Sequence, residues 1–192
     1  MPVAIQSYLT PSAYLMLERQ STERAEFING QIYAMAGASR EHNQLVFNLT
    51  GLLHAQLRQK PCSAFVADMR VRTRPNEAYF YPDLTVACGE LQFEDEKSDT
   101  LINPTLIIEV LSPSTEGYDR GAKFAHYRRL ASLQEYILVA QDRLSIERYV
   151  KTEQNQWLLF EATEWNDVIP LAAIGCTLSV VEVYEKVFQA PT

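Results

Sequence analysis

Two carboxylates stand where the surrounding residues make a negative charge expensive. Glu109 interrupts the run LIIEVL, and burying an unpaired carboxylate in such a strand costs several kcal/mol in order of magnitude. Something must therefore compensate that charge. Strand alternation puts Leu106, Ile108 and Val110 on one face and Ile107, Glu109 and Leu111 on the other. In YFYPDLTVA the same rule gives an apolar face of Phe80, Pro82, Leu84 and Val86, with Tyr79, Tyr81, Asp83 and Thr85 opposite. If these strands are neighbours, Asp83 and Glu109 converge on one hard, oxygen-seeking cation such as Mg²⁺, which also relieves the repulsion between them. The competing readings are a Pro-Asp turn for Asp83 and an arginine partner, Arg70 or Arg72, for Glu109.

Further along, SPSTEGYDRGAKFAHYRRL places Lys123 and Tyr127 four residues apart, on one face of an expected helix. Lys123 can point back toward the carboxylates. Its alternative is a surface ion pair with Asp119, worth a few tenths of a kcal/mol. Arg120 and Tyr127 can position a substrate. Arg70, Arg72 and Arg74 alternate with Val71 and Thr73, making a basic strand face suited to phosphate contact; equally, they can serve as partners for the acidic segment 89–99.

Other chemistries lack their signatures. His42, His54 and His126 show no HxxxH or HExxH spacing for zinc, and Walker A, GxGxxG and GxSxG patterns are absent. Cys62, Cys88 and Cys176 are odd in number and far apart, so buried free thiols are expected rather than a disulfide framework or a zinc site.

The elements that must carry these residues follow from pattern. Thr10-Pro11 caps a short helix ending near Ser21, and Asn29-Gly30 makes a type I′ turn in RAEFINGQIYAMAG. Leucines at 45, 49, 52, 53 and 57 mark a long helix over about 40–59, with Ser39 as its cap. Strands are expected over about 64–73, 79–88 and 105–111, then a helix over about 118–130, then strands at EYILVA, IERYV and WLLFEA. Ser179 and Glu182 suggest a capping box for a final helix. The 192 residues, 47% hydrophobic, suit one mixed α/β domain spanning 1–192. A formal charge of −7 argues against a surface that is basic throughout, though not against a local basic groove. MPVAIQSYLT lacks the pattern of a secretory leader, and no apolar run approaches the roughly 20 residues of a bilayer span, so a cytoplasmic location is expected.

Taken in order, AEFINGQIYAMAGAS, the helix containing His42, YPDLTVA, LIIEVLSPST, DRGAKFAHYRRL and EYILVA resemble the Uma2 (DUF820) family, common in cyanobacteria and classed with restriction-endonuclease-like folds. The resemblance implies a PD-(D/E)XK core of order α-β-β-β-α-β, with Asp83 and Glu109 in the two acidic positions and the Val110 carbonyl as a further metal contact. It also implies Mg²⁺ or Mn²⁺ as cofactor and DNA as substrate, with Glu26 completing the metal shell and His42 near the substrate; a homodimer is expected because cutting both strands needs two sites and isologous dimers are common. The departure is Leu111, which stands where the standard motif has lysine; Lys123 is the candidate replacement. A non-catalytic interaction module on the same fold and a hydrolase of another phosphodiester are the rival readings.

Overall fold

The computed structural model describes residues 8–35, 37–74 and 77–190. Residues 1–7, on which most of the leader reading rests, lie outside the described residues.

Helix α1 (Pro11–Glu18) starts where Thr10 Oγ1 accepts the Ala13 N–H, with proline in the first turn. Strands β1 (Ala25–Ile28) and β2 (Gln31–Ala34) form the expected hairpin, whose turn residues Asn29 and Gly30 have φ of 48° and 87°. Ser39 caps α2 (Arg40–Leu57), accepting from the His42 N–H. One stripe of this helix, Leu45, Leu49, Leu53 and Leu57, is buried.

The expected strand at 64–73 is two strands, β3 (Cys62–Val66) and β4 (Arg70–Arg74), and that at 79–88 is also two, β5 (Ala78–Phe80) and β6 (Leu84–Cys88). Pro82 has no N–H to give a ladder, and Ala67 turns the other chain at φ 52°. The two breaks are tied together, because the Ala67 N–H donates to the Asp83 carbonyl at 3.0 Å. Here the chain passes from one sheet to another. β3 and β6 pair in a six-stranded sheet of order β11-β10-β9-β8-β6-β3, whereas β4 and β5 pair in a five-stranded sheet of order β2-β1-β5-β4-β7. The remaining strands are β7 (Thr100–Leu101), β8 (Leu106–Leu111), β9 (Glu135–Ala140), β10 (Ile146–Lys151) and β11 (Trp157–Ala162), followed by the small hairpin β12 (Val168–Leu171) and β13 (Cys176–Ser179). The single apolar face expected along 80–86 is therefore divided, with Phe80 in one core and Leu84 and Val86 in another.

β8 and β9 are parallel, and the segment between them is the helical crossover such a pair needs. It is not one regular helix. A short α3 (Glu116–Tyr118) runs into a π-helical turn over Asp119–Lys123, then α4 (Phe124–Tyr127). This crossover lies between the sheets: Phe124, Tyr127 and Leu130 pack with Ile107, Leu111 and Tyr136 of the large sheet and with Val71 and Phe80 of the small one. The opposite face of the large sheet, bearing Leu106, Ile108 and Val110, packs on α2 and the β12–β13 hairpin. The alternation read along β8 thus holds, with each face in its own core.

Two local expectations fail. Ser179 precedes α5 (Val180–Val183) but makes no side-chain cap, because it is also the last paired residue of β13. Cys62 and Cys88 are not free thiols: they are directly opposite across β3 and β6 and joined in a disulfide, while Cys176 is free and buried. Strand register brought together residues that are 26 apart in sequence. Thiol titration in denaturant without reductant should accordingly find one reactive cysteine per chain, rising to three after reduction; three without reduction would refute the pairing.

Candidate active site

The ladder between β6 and β8 pairs Leu84 with Ile108 and Thr85 with Ile107. Asp83, one residue beyond its end, supplies the next partner from its side chain: Oδ2 accepts the Val110 N–H at 2.7 Å. Its other oxygen, Oδ1, is 3.1 Å from Nε2 of His42, in the first turn of α2. His42 is therefore both capped through its backbone by Ser39 and engaged with Asp83 through its ring. Asp83 sits at the sheet crossing, and its side chain keeps about a fifth of its surface open at 20%.

Glu109 projects from the other face of β8 and is 4% exposed. Lys123 Nζ lies 2.9 Å from its Oε1, and the Tyr127 hydroxyl donates to the same oxygen at 2.9 Å. Both contacts fall on Oε1, leaving Oε2 with no donor among the described residues. Lys123 also lies 3.0 Å from Oε1 of Glu26, on β1, and 3.7 Å from Oδ1 of Asp119. Glu26 in turn accepts the Tyr81 N–H at 3.3 Å. One ammonium thus faces three buried carboxylates from three separate elements. The i,i+4 pairing of Lys123 with Asp119 forms, but in the interior rather than at the surface, and it is the longest of the three contacts.

A single cation cannot offset three charges in a dry site, and the titration directions follow from this. Burial, with the like charges of Asp119, Asp83 and Glu26 adding to it, pushes the Glu109 carboxyl well above its ordinary range despite Lys123. Asp119 is pushed up for the same first reason, burial. For Lys123 burial favours the neutral amine, but Glu109 and Glu26 outweigh it and hold the ammonium well above its usual value. Lys123 is accordingly held as a cation.

The arginines are placed differently from the basic face expected of β4. Arg70 is 3% exposed, bound to Asp99 at 2.7 Å and to Thr100 and the Tyr81 hydroxyl at 3.1 Å each. Arg72 meets Glu94 at 2.8 Å. The segment 89–99 therefore consumes both guanidinium groups, and only Arg74 of the three is exposed. Arg120 is bound to Glu116 and Glu147 rather than to Asp83 or Glu109. Tyr127 is fully buried and acts on Glu109 rather than on an open surface.

Sequence reading assigned Asp119 no part in the cluster and passed over Tyr118, whose hydroxyl is buried without a partner among the described residues. A usable signal existed: Asp119, Lys123 and Tyr127 recur every four residues, the spacing of one helix face.

Residues 11–181 match the Uma2 family, described as "Putative restriction endonuclease". The chain belongs to that family. This Uma2 protein is 45% identical over 161 residues to "Uncharacterized protein sll1609" of Synechocystis sp. (strain ATCC 27184 / PCC 6803 / Kazusa), covering 84% of this chain and 91% of the relative. It is 36% identical over 177 residues to "Uncharacterized protein slr1290" of the same organism, covering 92% and 91%. Among solved structures, a DUF820 protein from Anabaena variabilis ATCC 29413, titled a "putative nuclease", superposes with a TM-score of 0.76 at 18% identity, over 94% of this chain and 99% of that one. The mixed α+β architecture of this Uma2 protein is the fold of that structure.

Removing the shared cation should leave buried acids unpaired. Lys123→Met is expected to lose about 3–5 kcal/mol in urea unfolding, and Glu109→Gln much less, since Glu26 still holds the ammonium. Acids with raised folded pKa values contribute stability below their unfolded pKa and lose it as pH rises through the folded one. The Lys123→Met deficit should therefore shrink as pH falls toward about 4; a deficit independent of pH would rule out this account.

Proposed function

We propose that this Uma2 protein is a divalent-metal-dependent endonuclease that hydrolyses DNA phosphodiester bonds at the site formed by Asp83, Glu109 and Lys123. The observation that carries the reading is the contact of Lys123 with Glu109 at 2.9 Å. It supplies from the crossover helix the lysine that the ExL sequence lacks, on the strand whose next N–H is held by Asp83.

The donor set suits a hard cation. Asp83 approaches from the residue before β6 and Glu109 from the neighbouring β8. Among the described residues no three His, Cys, Asp or Glu side chains form a ready-made cage, so the ligands would be these two carboxylates with the Val110 carbonyl, completed by water and a substrate phosphate oxygen. Glu26 belongs with Lys123 rather than with this set, which alters the role first expected of it. Bound Mg²⁺ or Mn²⁺ would supply Lewis-acid stabilisation of the phosphate and a lower pKa for the attacking water.

The remaining work falls to the chain. Tyr127 fixes the rotamer of Glu109, and His42 with the Val110 N–H fixes Asp83. Lys123, kept charged by Glu109 and Glu26, orients the attacking water and stabilises the charge that grows on the phosphoryl oxygens. The new bond is water oxygen to phosphorus and the broken one phosphorus to the leaving sugar oxygen; the attacking water gives its proton to solvent, and the leaving oxygen takes one up from solvent. Purified protein should nick supercoiled plasmid with Mg²⁺ or Mn²⁺ and not in EDTA, while Asp83→Asn, Glu109→Gln and Lys123→Met should each lose roughly a hundredfold or more. Failure of the folded wild type to nick with either metal would overturn the nuclease reading.

The homodimer is a separate proposal, favoured by β11. It is an edge strand of the large sheet, and Leu158, Leu159 and Phe160 are 49%, 52% and 52% exposed. An open apolar edge of this kind invites strand pairing, and a two-fold axis satisfies it with a second copy. Light scattering should give twice 21.9 kDa, reduced to the monomer by Leu159→Lys; a wild-type monomer at all concentrations would dismiss the dimer.

A further inference from the structure

The crossover helix ends in Arg128 and Arg129, and neither side chain joins the carboxylate cluster. Both line an open cleft of roughly 520 Å³, together with Arg74, Lys151, Asn155 and Trp157. In a chain of net charge −7 this is a concentration of four cations, and among the described residues no acidic side chain lines it. The basic character looked for along β4 is thus found here, because Arg74 is the one arginine of that strand left over by the segment 89–99.

The cations are held in different ways. Arg129 is bound to Glu77. Lys151 donates to the Ala131 and Leu130 carbonyls at 3.2 and 3.5 Å, contacts that fix its position without neutralising it. Arg74 and Arg128 are exposed and have no carboxylate partner among the described residues. Three unneutralised charges therefore border the cleft. Trp157 is the cross-strand partner of Lys151 in the β10–β11 hairpin. Its indole meets Phe124 edge-on at 5.2 Å and is half-buried, so the ring is braced from within while it lines the cleft. Unneutralised cations beside a braced aromatic ring are the elements of a groove for single-stranded nucleic acid: phosphates meet the charges and a base stacks on the ring, whatever its identity.

We infer that the cleft between the end of the crossover helix and the β10–β11 hairpin binds a single nucleic-acid strand, with phosphates on Arg74, Arg128 and Lys151 and a base on Trp157. Arg128 lies five residues beyond Lys123, about 8 Å along the helix, so this contact is additional to the carboxylate site and shares its supporting helix. The inference names the substrate form for the nuclease reading, but binding here requires neither metal nor cleavage.

The test is anisotropy of a fluorescein-labelled oligothymidylate with the full chain in EDTA, over a range of salt. Three phosphate contacts predict a log–log salt slope of roughly −2 for a single strand. Arg74→Glu with Arg128→Glu should weaken binding at least tenfold and flatten the slope, and Trp157→Ala should weaken it several-fold. Arg58→Glu, which changes the charge by the same amount per site at the exposed end of α2, should leave it unchanged. Equal loss in Arg58→Glu, or wild-type binding by the folded double variant, overturns the cleft. Tighter binding of duplex than of single strand, unaffected by Trp157→Ala, overturns the assignment to an unpaired strand. Binding through the cleft by a protein that cuts nothing would retain this inference and remove the nuclease one.

Discussion

The ammonium of Lys123 is the point on which the architecture turns. It comes from the crossover, and it meets Glu109 from the large sheet and Glu26 from the small one, so a single charge joins two sheets and the helix between them. Each carboxylate would be costly without it, and it would be costly without them. The interdependence leaves little freedom for the helix to slide or rotate. Aromatic packing reinforces the position: Phe80 and Tyr127 meet edge-on at 5.1 Å, and Phe124 stacks on Tyr136 at 5.0 Å.

The second determinant is the sheet crossing. Two chain segments leave one sheet for the other at the same place, linked by the Ala67–Asp83 hydrogen bond. A continuous strand would have spent Asp83 on one face of a ladder. The break, imposed by Pro82, frees its side chain to meet Val110 and His42 instead. Asp83 is thereby more open than Glu109, and the two acids, adjacent in space, occupy different electrostatic surroundings.

Local signals that report on local structure were legible in the sequence. Asn29-Gly30, the Thr10-Pro11 and Ser39 caps and the leucine stripe of α2 all depend on neighbours within a few residues, and each formed as expected. The alternation of LIIEVL also held, since both faces of β8 are buried in different cores. What could not be read were consequences of long-range pairing. Arg70 and Arg72 look like an open basic face until the segment 89–99 is folded against them. The disulfide depends on the register of β3 against β6. The split of each long strand into two depends on the existence of a second sheet. The depth at which Lys123 is buried depends on Glu26, nearly a hundred residues earlier in the chain.

The π-helical turn over Asp119–Lys123 makes chain length here a discrete variable. Such a turn holds one residue more than an α-helical turn needs, and each residue of an α-helix advances the face by about 100°. Losing a residue from this turn would leave the composition nearly intact, yet everything on one side of it would swing round by more than a quarter circle. Asp119 and Tyr127 would then no longer share an inward direction. The helix can exchange side chains one at a time, but it can change length only by giving up its phase, so insertions and deletions should be far rarer here than substitutions.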